Sequence, residues 1–167
     1  MPEENALEIL KSALLLERRG GLFYRKVAQI SVTPAVKEFF ELLSTEEFSH
    51  TLILNRQFSF WMENRRFSSD ENTIKKHSTL ASSILTQNVM DQIESAGFEA
   101  AAISAAISME ALSVSLYSHR SSTATDPEEK TLYQWLWQWE KTHLDFLYSL
   151  NRQLTEKIWF DNHFWPF

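Results

Sequence analysis

Cysteine is absent from this 167-residue chain, and glycine and proline are scarce, at three and four residues. The lack of cysteine excludes disulfide bonds, thiolate-bound zinc, iron–sulfur centres and a thiol nucleophile. Few turn-forming residues and a hydrophobic content of 44% favour long helices over a turn-rich β fold. The length suits one domain with a single core.

An excess of positive charge is also missing, because the formal net charge is -6. A nucleic-acid partner is therefore not expected. Charged residues such as Glu8, Lys11 and Glu17 interrupt every apolar run near the N-terminus, so we predict neither a signal peptide nor a transmembrane span. We expect a cytoplasmic protein without a membrane partner.

What the chain does contain is an internal repeat. Residues 13–54 align without a gap with residues 106–147, at an offset of 93 positions. The identical residues include acids, a histidine and a proline, which indicates two copies of one supersecondary unit. The nine identical pairs are Ala13/Ala106, Glu17/Glu110, Tyr24/Tyr117, Pro34/Pro127, Lys37/Lys130, Leu43/Leu136, Glu47/Glu140, His50/His143 and Leu54/Leu147.

Each unit is predicted to be a helical hairpin, since apolar residues recur in it at helical spacing. Thr33-Pro34 and Asp126-Pro127 are typical helix starts, with Thr33 and Asp126 as capping residues. We predict an all-α four-helix bundle over residues 1–157, followed by an aromatic tail at 158–167. Its helices lie near 3–31, 34–63, 97–123 and 127–157, so that hairpin 1 covers about 3–63, a long crossover 64–96 and hairpin 2 about 97–157.

Four glutamates and two histidines of the repeat are predicted to meet in the bundle core. Glu17 and Glu47 each lie 15 residues from residue 32, beside the first hairpin turn, so they face each other at one level. Glu110 and Glu140 are placed in the same way about residue 125. His50 and His143 each follow a glutamate by three residues, about one helical turn, and point in the same direction as that glutamate.

This set has the composition of a two-metal site in a helical bundle: one Glu from each of two helices and Glu-x-x-His from each of the other two. Four carboxylates in a core of low dielectric repel one another, and two divalent cations balance their charge. Oxygen and imidazole ligands suit iron, manganese or zinc. We predict metal ligands at Glu17, Glu47, His50, Glu110, Glu140 and His143.

With these residues the chain resembles the rubrerythrin branch of the ferritin-like superfamily, over about residues 5–63 and 97–155. The resemblance implies a ferritin-like bundle with two iron ions, bridged by Glu47 and Glu140. Glu17 and Glu110 are then terminal ligands, His50 and His143 each cap one metal, and Tyr24 and Tyr117 lie beside the ligands. The matching segments are Glu17 with Tyr24, Glu47-Phe48-Ser49-His50, Ala106-Ile107-Ser108-Met109-Glu110 with Tyr117, Asp126-Pro127-Glu128-Glu129-Lys130, and Glu140-Lys141-Thr142-His143.

Two features depart from the rubrerythrin pattern. Rubrerythrins carry a further Glu three residues after the third-helix ligand, where this chain has Ser113. A rubredoxin domain, which needs four cysteines, is absent from this sequence. The six-ligand set is closer to a bacterioferritin-type ferroxidase centre, although no fifth helix of the kind found in ferritin cages is evident.

The predicted function is that of a diiron oxidoreductase that reacts Fe(II) with peroxide or dioxygen, either as a ferroxidase or by reducing peroxide. A separate electron donor is expected. The alternatives are an iron-binding or delivery protein without turnover, and a non-catalytic helical interaction module. No nucleophile–base triad, phosphate loop or Gly-rich fingerprint suggests another enzyme class.

The aromatic residues outside the repeat bear on assembly. The tail at 158–167 is expected to pack on the bundle, across a dimer or on a partner, because its rings would otherwise favour aggregation. Trp135 and Trp139 are predicted to form a core or interface stripe with Phe146, and Trp137 is predicted to lie near the ligand face. We expect a homodimer, since these residues are more apolar than a monomer surface usually tolerates.

Overall fold

A computed structural model of the chain describes residues 2–69 and 97–161. The four helices within these ranges are α1, Pro2–Ile30; α2, Pro34–Asn64; α3, Phe98–Thr123; and α4, Pro127–Asp161. Helices α1 and α2 pack along each other, as do α3 and α4, and α1 also contacts α3. This arrangement confirms the predicted ferritin-like four-helix bundle. Most of the predicted crossover, from residue 70 to 96, lies outside the described residues.

The helix ends follow local signals, with one exception. Before α4, the Asp126 side chain accepts hydrogen bonds from the backbone N–H groups of Glu128 and Glu129, at 2.8 and 3.2 Å. Thr33 stands in the corresponding place before α2 but makes no capping bond with its side chain, so the prediction that it caps as Asp126 does is wrong. Its extended backbone and the following Pro34 are sufficient to begin the helix.

Helix α4 continues four residues beyond its predicted end, so the first part of the predicted tail is helical. Within this extension Trp159 is half exposed and Phe160 is mostly exposed. The last part of the tail, residues 162–167, lies outside the described residues. Its predicted packing therefore stays a prediction.

The bundle core has two apolar clusters with a polar layer between them. One cluster lies toward the α1–α2 turn and includes Tyr24, Phe39, Phe40, Ile103 and Leu147. The other lies toward the opposite end and includes Leu10, Leu54, Tyr117, Leu132 and Leu136. In sequence, the six predicted ligands fall between the members of these clusters on every helix. The fold thus places a charged layer near mid-height, sealed from above and below by apolar side chains.

Helix α3 is the one helix of the described ranges that is long and apolar enough to cross a membrane, by length and composition alone. In this fold, some of its apolar residues pack in the bundle core. The helix contributes Ile103 and Ala106 to one cluster and Tyr117 to the other, and it carries Glu110 in the polar layer between them. These buried residues of α3 therefore belong to the core of the bundle.

Candidate metal centre

All six predicted ligands lie in the polar layer and are almost completely buried. The most exposed of them, Glu47 and Glu110, have only 3% of their surface accessible, and Glu17 and Glu140 have none. Each of the four helices contributes a glutamate, and α2 and α4 each add a histidine one turn later. Glycine at position 20 allows close packing, because a Cβ there would stand 3.0 Å from Glu47 Oε2.

The six side chains fall into two groups that share two members. One group is Glu17, Glu47, His50 and Glu140, and the other is Glu47, Glu110, Glu140 and His143. Within each group, one potential ligand atom per residue lies within 4.8 Å of all the others. Two ions placed in these groups would have Glu47 and Glu140 in common, and each would have one glutamate and one histidine of its own.

The two histidines face the carboxylates through the same ring nitrogen, Nδ1, and both approach Glu140. Nδ1 of His50 lies 2.8 Å from Glu140 Oε1 and 3.0 Å from Glu17 Oε2. Nδ1 of His143 lies 3.4 Å from Glu140 Oε2 and 3.7 Å from Glu47 Oε1. The two imidazole rings are stacked with their centroids 6.4 Å apart. Each ring therefore points one nitrogen toward its own group of carboxylates.

Several of these buried atoms make no hydrogen bond of good geometry among the described residues, although some of them take part in the close charged contacts just given. They are Glu47 Oε1, both carboxylate oxygens of Glu140, and His143 Nδ1. An unsatisfied buried polar atom costs about 1–3 kcal/mol, more when it is charged. Four such atoms on shared or adjacent ligands fit a pair of cations, which would satisfy them together. The donor set, oxygen and imidazole without thiolate, fits iron, manganese or zinc.

Two tyrosines hold the terminal glutamates across the bundle. The hydroxyl of Tyr24 on α1 donates a short hydrogen bond to Glu110 Oε1 on α3. The hydroxyl of Tyr117 on α3 donates a short hydrogen bond to Glu17 Oε1 on α1. Burial raises the pKa of both phenols well above 10, so each stays a donor at neutral pH. The structure thus places both tyrosines beside the predicted ligands, where each orients one carboxylate of the other hairpin.

Without a metal, the carboxylates do not share one protonation state. Burial, reinforced by the charge of Glu140, raises the pKa of Glu47 and of Glu110 well above the ordinary value. Burial also acts to raise the pKa of Glu140, but the neighbouring imidazoles of His50 and His143 outweigh it and hold that pKa well below its usual range. Glu140 is therefore the most strongly ionised of these three.

The imidazoles carry the complementary positive charge. Burial acts to lower the pKa of His50, but Glu140 and Glu17 outweigh it and raise that pKa to about 10. Burial likewise opposes protonation of His143, but its close contacts with the carboxylates of Glu140 and Glu46 outweigh burial and raise its pKa well above 6.5. The metal-free cluster thus favours the imidazolium form of both rings, which would stand in for part of the charge that two metal ions would supply.

Glu46 is a buried residue of the site that the sequence reasoning missed. Its Oε2 lies 2.5 Å from Nε2 of His143, the ring nitrogen that faces away from the ligand cluster. A signal was available, because Glu46 interrupts a stripe of buried residues at three- and four-residue spacing along α2. That stripe is Phe39, Leu43, Glu46, His50, Ile53 and Gln57. A carboxylate in such a stripe needs a buried partner.

Two tryptophans of α4 lie beside a predicted ligand. Trp135 and Trp139 both pack edgewise against His50, with ring centroids 5.5 Å away. Trp137, which was predicted near the ligand face, packs against the apolar cluster that contains Leu132 and Leu136. Trp135 and Trp139 thus form a core stripe, as one of the two predicted possibilities, and this stripe covers one histidine of the site.

A cavity of about 210 Å³ leads to the site between α1 and α3. Glu47, Glu110 and Tyr24 line it, and the small residues Gly20 and Ser113 leave its space open. These two small residues correspond in the repeat, each three positions after a ligand glutamate. The remaining lining residues, toward the surface, are Leu16, Arg19, Met109 and Leu112. A small molecule therefore has a route to one side of the carboxylate cluster.

The family model for rubrerythrin matches residues 8–151, which include all six predicted ligands. No curated protein and no solved structure matches the chain.

Proposed function

The chain belongs to the rubrerythrin family, and from its site we propose that it is a diiron oxidoreductase that reacts Fe(II) with peroxide or dioxygen. The observation that carries the proposal is the pair of buried four-residue groups that share Glu47 and Glu140. A shared carboxylate pair suits two ions that change charge together, because each bridging group senses both. The six side chains are proposed to hold two iron ions, with manganese or zinc as substitutes.

When bound by these residues, an iron pair would supply two electrons, which with two protons would convert hydrogen peroxide to two molecules of water. The protein surrounds this chemistry with fixed groups. The hydroxyls of Tyr24 and Tyr117 hold the terminal carboxylates of Glu110 and Glu17 in place. The apolar clusters above and below keep bulk water from the ligands, which strengthens electrostatic interactions within the layer.

The cavity between α1 and α3 is the proposed path of the oxidant. Its volume of about 210 Å³ is ample for peroxide or dioxygen. The Glu47 carboxylate and the Tyr24 hydroxyl border it, so an incoming molecule meets a proposed bridging ligand and a hydrogen-bond donor together. A rubrerythrin glutamate at the position of Ser113 would occupy part of this space. With the smaller Ser113 at this position, the cavity supports a direct approach of a small oxidant to the carboxylates.

The first test is metal content after anaerobic loading with Fe(II), followed by stopped-flow absorbance on addition of peroxide or of dioxygen. We expect about two irons per chain, the count that this ligand arrangement holds, and oxidation faster than in buffer alone. Glu47→Ala and Glu140→Ala remove the shared ligands and should abolish both. Glu38→Ala, an exposed glutamate on the same helix as Glu47, is the matched control and should change neither.

The outcomes separate the alternatives. Two bound irons without oxidation above the buffer blank would favour an iron-binding or delivery protein. No stoichiometric binding, and no rise in melting temperature on metal addition, would favour a non-catalytic helical module, since real ligands stabilise the folded state by mass action. If neither Glu47→Ala nor Glu140→Ala changes iron binding, the metal lies elsewhere, and the proposed site is overturned.

Access through the cavity can be tested separately from binding. Ser113→Leu adds bulk to a buried position beside the cavity without removing a ligand. We expect unchanged iron content and slower oxidation by peroxide. Gln29→Leu, an exposed change on α1 away from the cavity lining, controls for a general effect of an added leucine. Unchanged oxidation kinetics in Ser113→Leu would exclude this route.

Two further features are proposed for the working protein. A separate electron donor is proposed to return the irons to Fe(II). A homodimer is supported by Leu15 and Leu22, which lie seven residues apart on one face of α1 and are 52% and 50% exposed. Light scattering of the wild type and of Leu22→Glu would test this. A monomer in both would contradict it.

A further inference from the structure

The two proposed metal positions have different surroundings, although their ligands are the same. The repeat pairs Glu46 with Trp139, the residues that immediately precede Glu47 and Glu140. Glu46 on α2 contacts His143 on α4, and Trp139 on α4 contacts His50 on α2. Each hairpin thus covers the outer side of the histidine of the other hairpin. Glu46 covers His143 with a carboxylate, and Trp139 covers His50 with an indole ring.

The histidine on the carboxylate side has a hydrogen-bond partner for its outer nitrogen. Its Nδ1 faces the ligand cluster, and its Nε2 lies 2.5 Å from Glu46 Oε2. A carboxylate that accepts the outer N–H of a metal-binding histidine fixes the tautomer and the ring orientation, and it makes the metal-facing nitrogen more basic. His143 is therefore held ready to bind through Nδ1.

The other histidine lacks such a partner. Its Nδ1 also faces the cluster, but its Nε2 has no hydrogen-bond partner among the described residues. Trp139 and Trp135 lie against the ring at nearly perpendicular angles of 89° and 81°. Their rings restrict the imidazole by packing. They do not supply the negative charge that Glu46 supplies to His143.

The presence of Glu46 is itself informative. Its other oxygen, Oε1, is buried without a hydrogen-bond partner among the described residues, and the side chain is only 7% exposed. Burying a carboxylate in this way is costly, and packing alone would favour an apolar residue. At the corresponding position the chain does carry an apolar ring, Trp139. The carboxylate therefore has a role beyond packing.

We propose that the pairing of Glu46 with His143, opposite the pairing of Trp139 with His50, makes the two metal positions unequal, so that the position at His143 binds first and more tightly. The inference rests on the proposed metal site but not on turnover. Loss of a partner of this kind lowers metal affinity by about 10–100-fold. We therefore expect the two binding steps to differ by about that factor.

The test is calorimetric titration with Zn(II), which binds the same donor types without redox chemistry. Two resolved steps of one ion each are expected in the wild type. Glu46→Gln keeps the side-chain volume but removes the charge, and it should weaken the first step by about 10–100-fold until the two steps merge. Trp139→Glu should strengthen the weaker step, whereas Trp139→Phe should not.

Imidazole nitrogen NMR of ¹⁵N-histidine-labelled protein identifies the position that fills first. The His143 signals should move during the first equivalent of Zn(II) and the His50 signals during the second, and Glu46→Gln should remove this order. Equal steps in the wild type, His50 filling first, or an unchanged order in Glu46→Gln would overturn the inference while leaving the metal site intact. No binding at all would overturn the proposed site as well. Melting curves of metal-free Glu46→Gln check that it folds.

Discussion

Loading the site with two divalent ions at pH 7 should release about four protons from each chain. The protons belong to two carboxylic acids and two imidazolium groups. Burial raises the pKa of Glu47 and Glu110 well above that of an exposed glutamate. The surrounding carboxylates overcome the effect of burial on His50 and His143, and they raise the first pKa to about 10 and the second well above 6.5. Ligands must be deprotonated before they bind a metal.

The exchange keeps the charge of the buried layer constant. Four protons leave with four positive charges, and two divalent ions bring four back. A core of low dielectric favours such a neutral exchange, because any net charge left there would be poorly solvated. By linkage, the logarithm of the product of the two association constants should rise by about four for each pH unit near neutrality.

Proton release can be measured with a pH-indicator dye in weakly buffered solution at pH 7 while Co(II) or Zn(II) is added without oxygen. Bound metal is counted by elemental analysis of the same samples. Glu110→Gln removes one proton source while keeping the shared ligands, so the release should fall to about three. Glu38→Gln changes an exposed glutamate and should leave the release unchanged.

The stoichiometry of the two ions decides the result. Binding of two ions with fewer than about one proton released would mean that the metal-free cluster is already deprotonated, which would refute the reasoning from burial and mutual repulsion. Proton release without bound metal would point instead to a change of fold. If two ions bind without this proton release, the apparent affinity for metal should also lose its steep dependence on pH.

Three further predictions concern stability and binding. The pKa of His50 is about 10 in the folded state and 6.5 when unperturbed, so its contribution to stability is fully present below pH 6.5 and is lost as the pH rises through 10. Metal-free protein should therefore melt at a lower temperature at pH 9 than at pH 6. Melting curves by circular dichroism that show the opposite order would contradict this. Tyr24→Phe leaves a buried carboxyl unsatisfied and should cost about 1–3 kcal/mol in chemical denaturation, whereas Tyr133→Phe, at a buried hydroxyl without a hydrogen-bond partner among the described residues, should cost almost nothing. Gly20→Ala places a Cβ 3.0 Å from Glu47 Oε2 and should weaken Zn(II) binding in a calorimetric titration without unfolding the helix, so an unchanged affinity would show that Glu47 can move at no cost.

The fold could be predicted well because the signals that determine it are local and occur twice. The two proline turns and the apolar spacing placed all four helix starts within one residue of their observed positions. The end of α4 was placed too early, because the sequence after residue 157 was interpreted as a tail. No proline or glycine interrupts the chain between 158 and 161, so nothing there ends the helix. The cap at Thr33 failed for a different reason, since Pro34 already satisfies the needs of the first turn.

The site could be predicted as far as the ligands, whose roles as metal ligands stay a prediction. The structure brings all six together because equal distances from a hairpin turn put residues at one height. The positions of Glu46 and the tryptophans depend instead on how α2 and α4 rotate about their axes. One residue along a helix changes the direction by about 100°, so Trp137 lies about 200° around α4 from Trp135 and from Trp139, and the sequence pattern alone does not show which side faces His50. Only the packed bundle shows which rings touch His50.

A repeated sequence therefore does not imply a symmetric centre. The repeat preserves the groups proposed to touch metal, because two like ions need like ligands, and it also preserves the tyrosines that hold two of those ligands. It does not preserve positions 46 and 139, which act on the centre only through a histidine ring. A change there leaves the ligand count intact but alters the basicity of one nitrogen. In a reaction that uses two ions, a change at such a position can make the two metal positions unequal while both still bind an ion. The difference between the two affinities in Zn(II) titrations measures the size of this inequality.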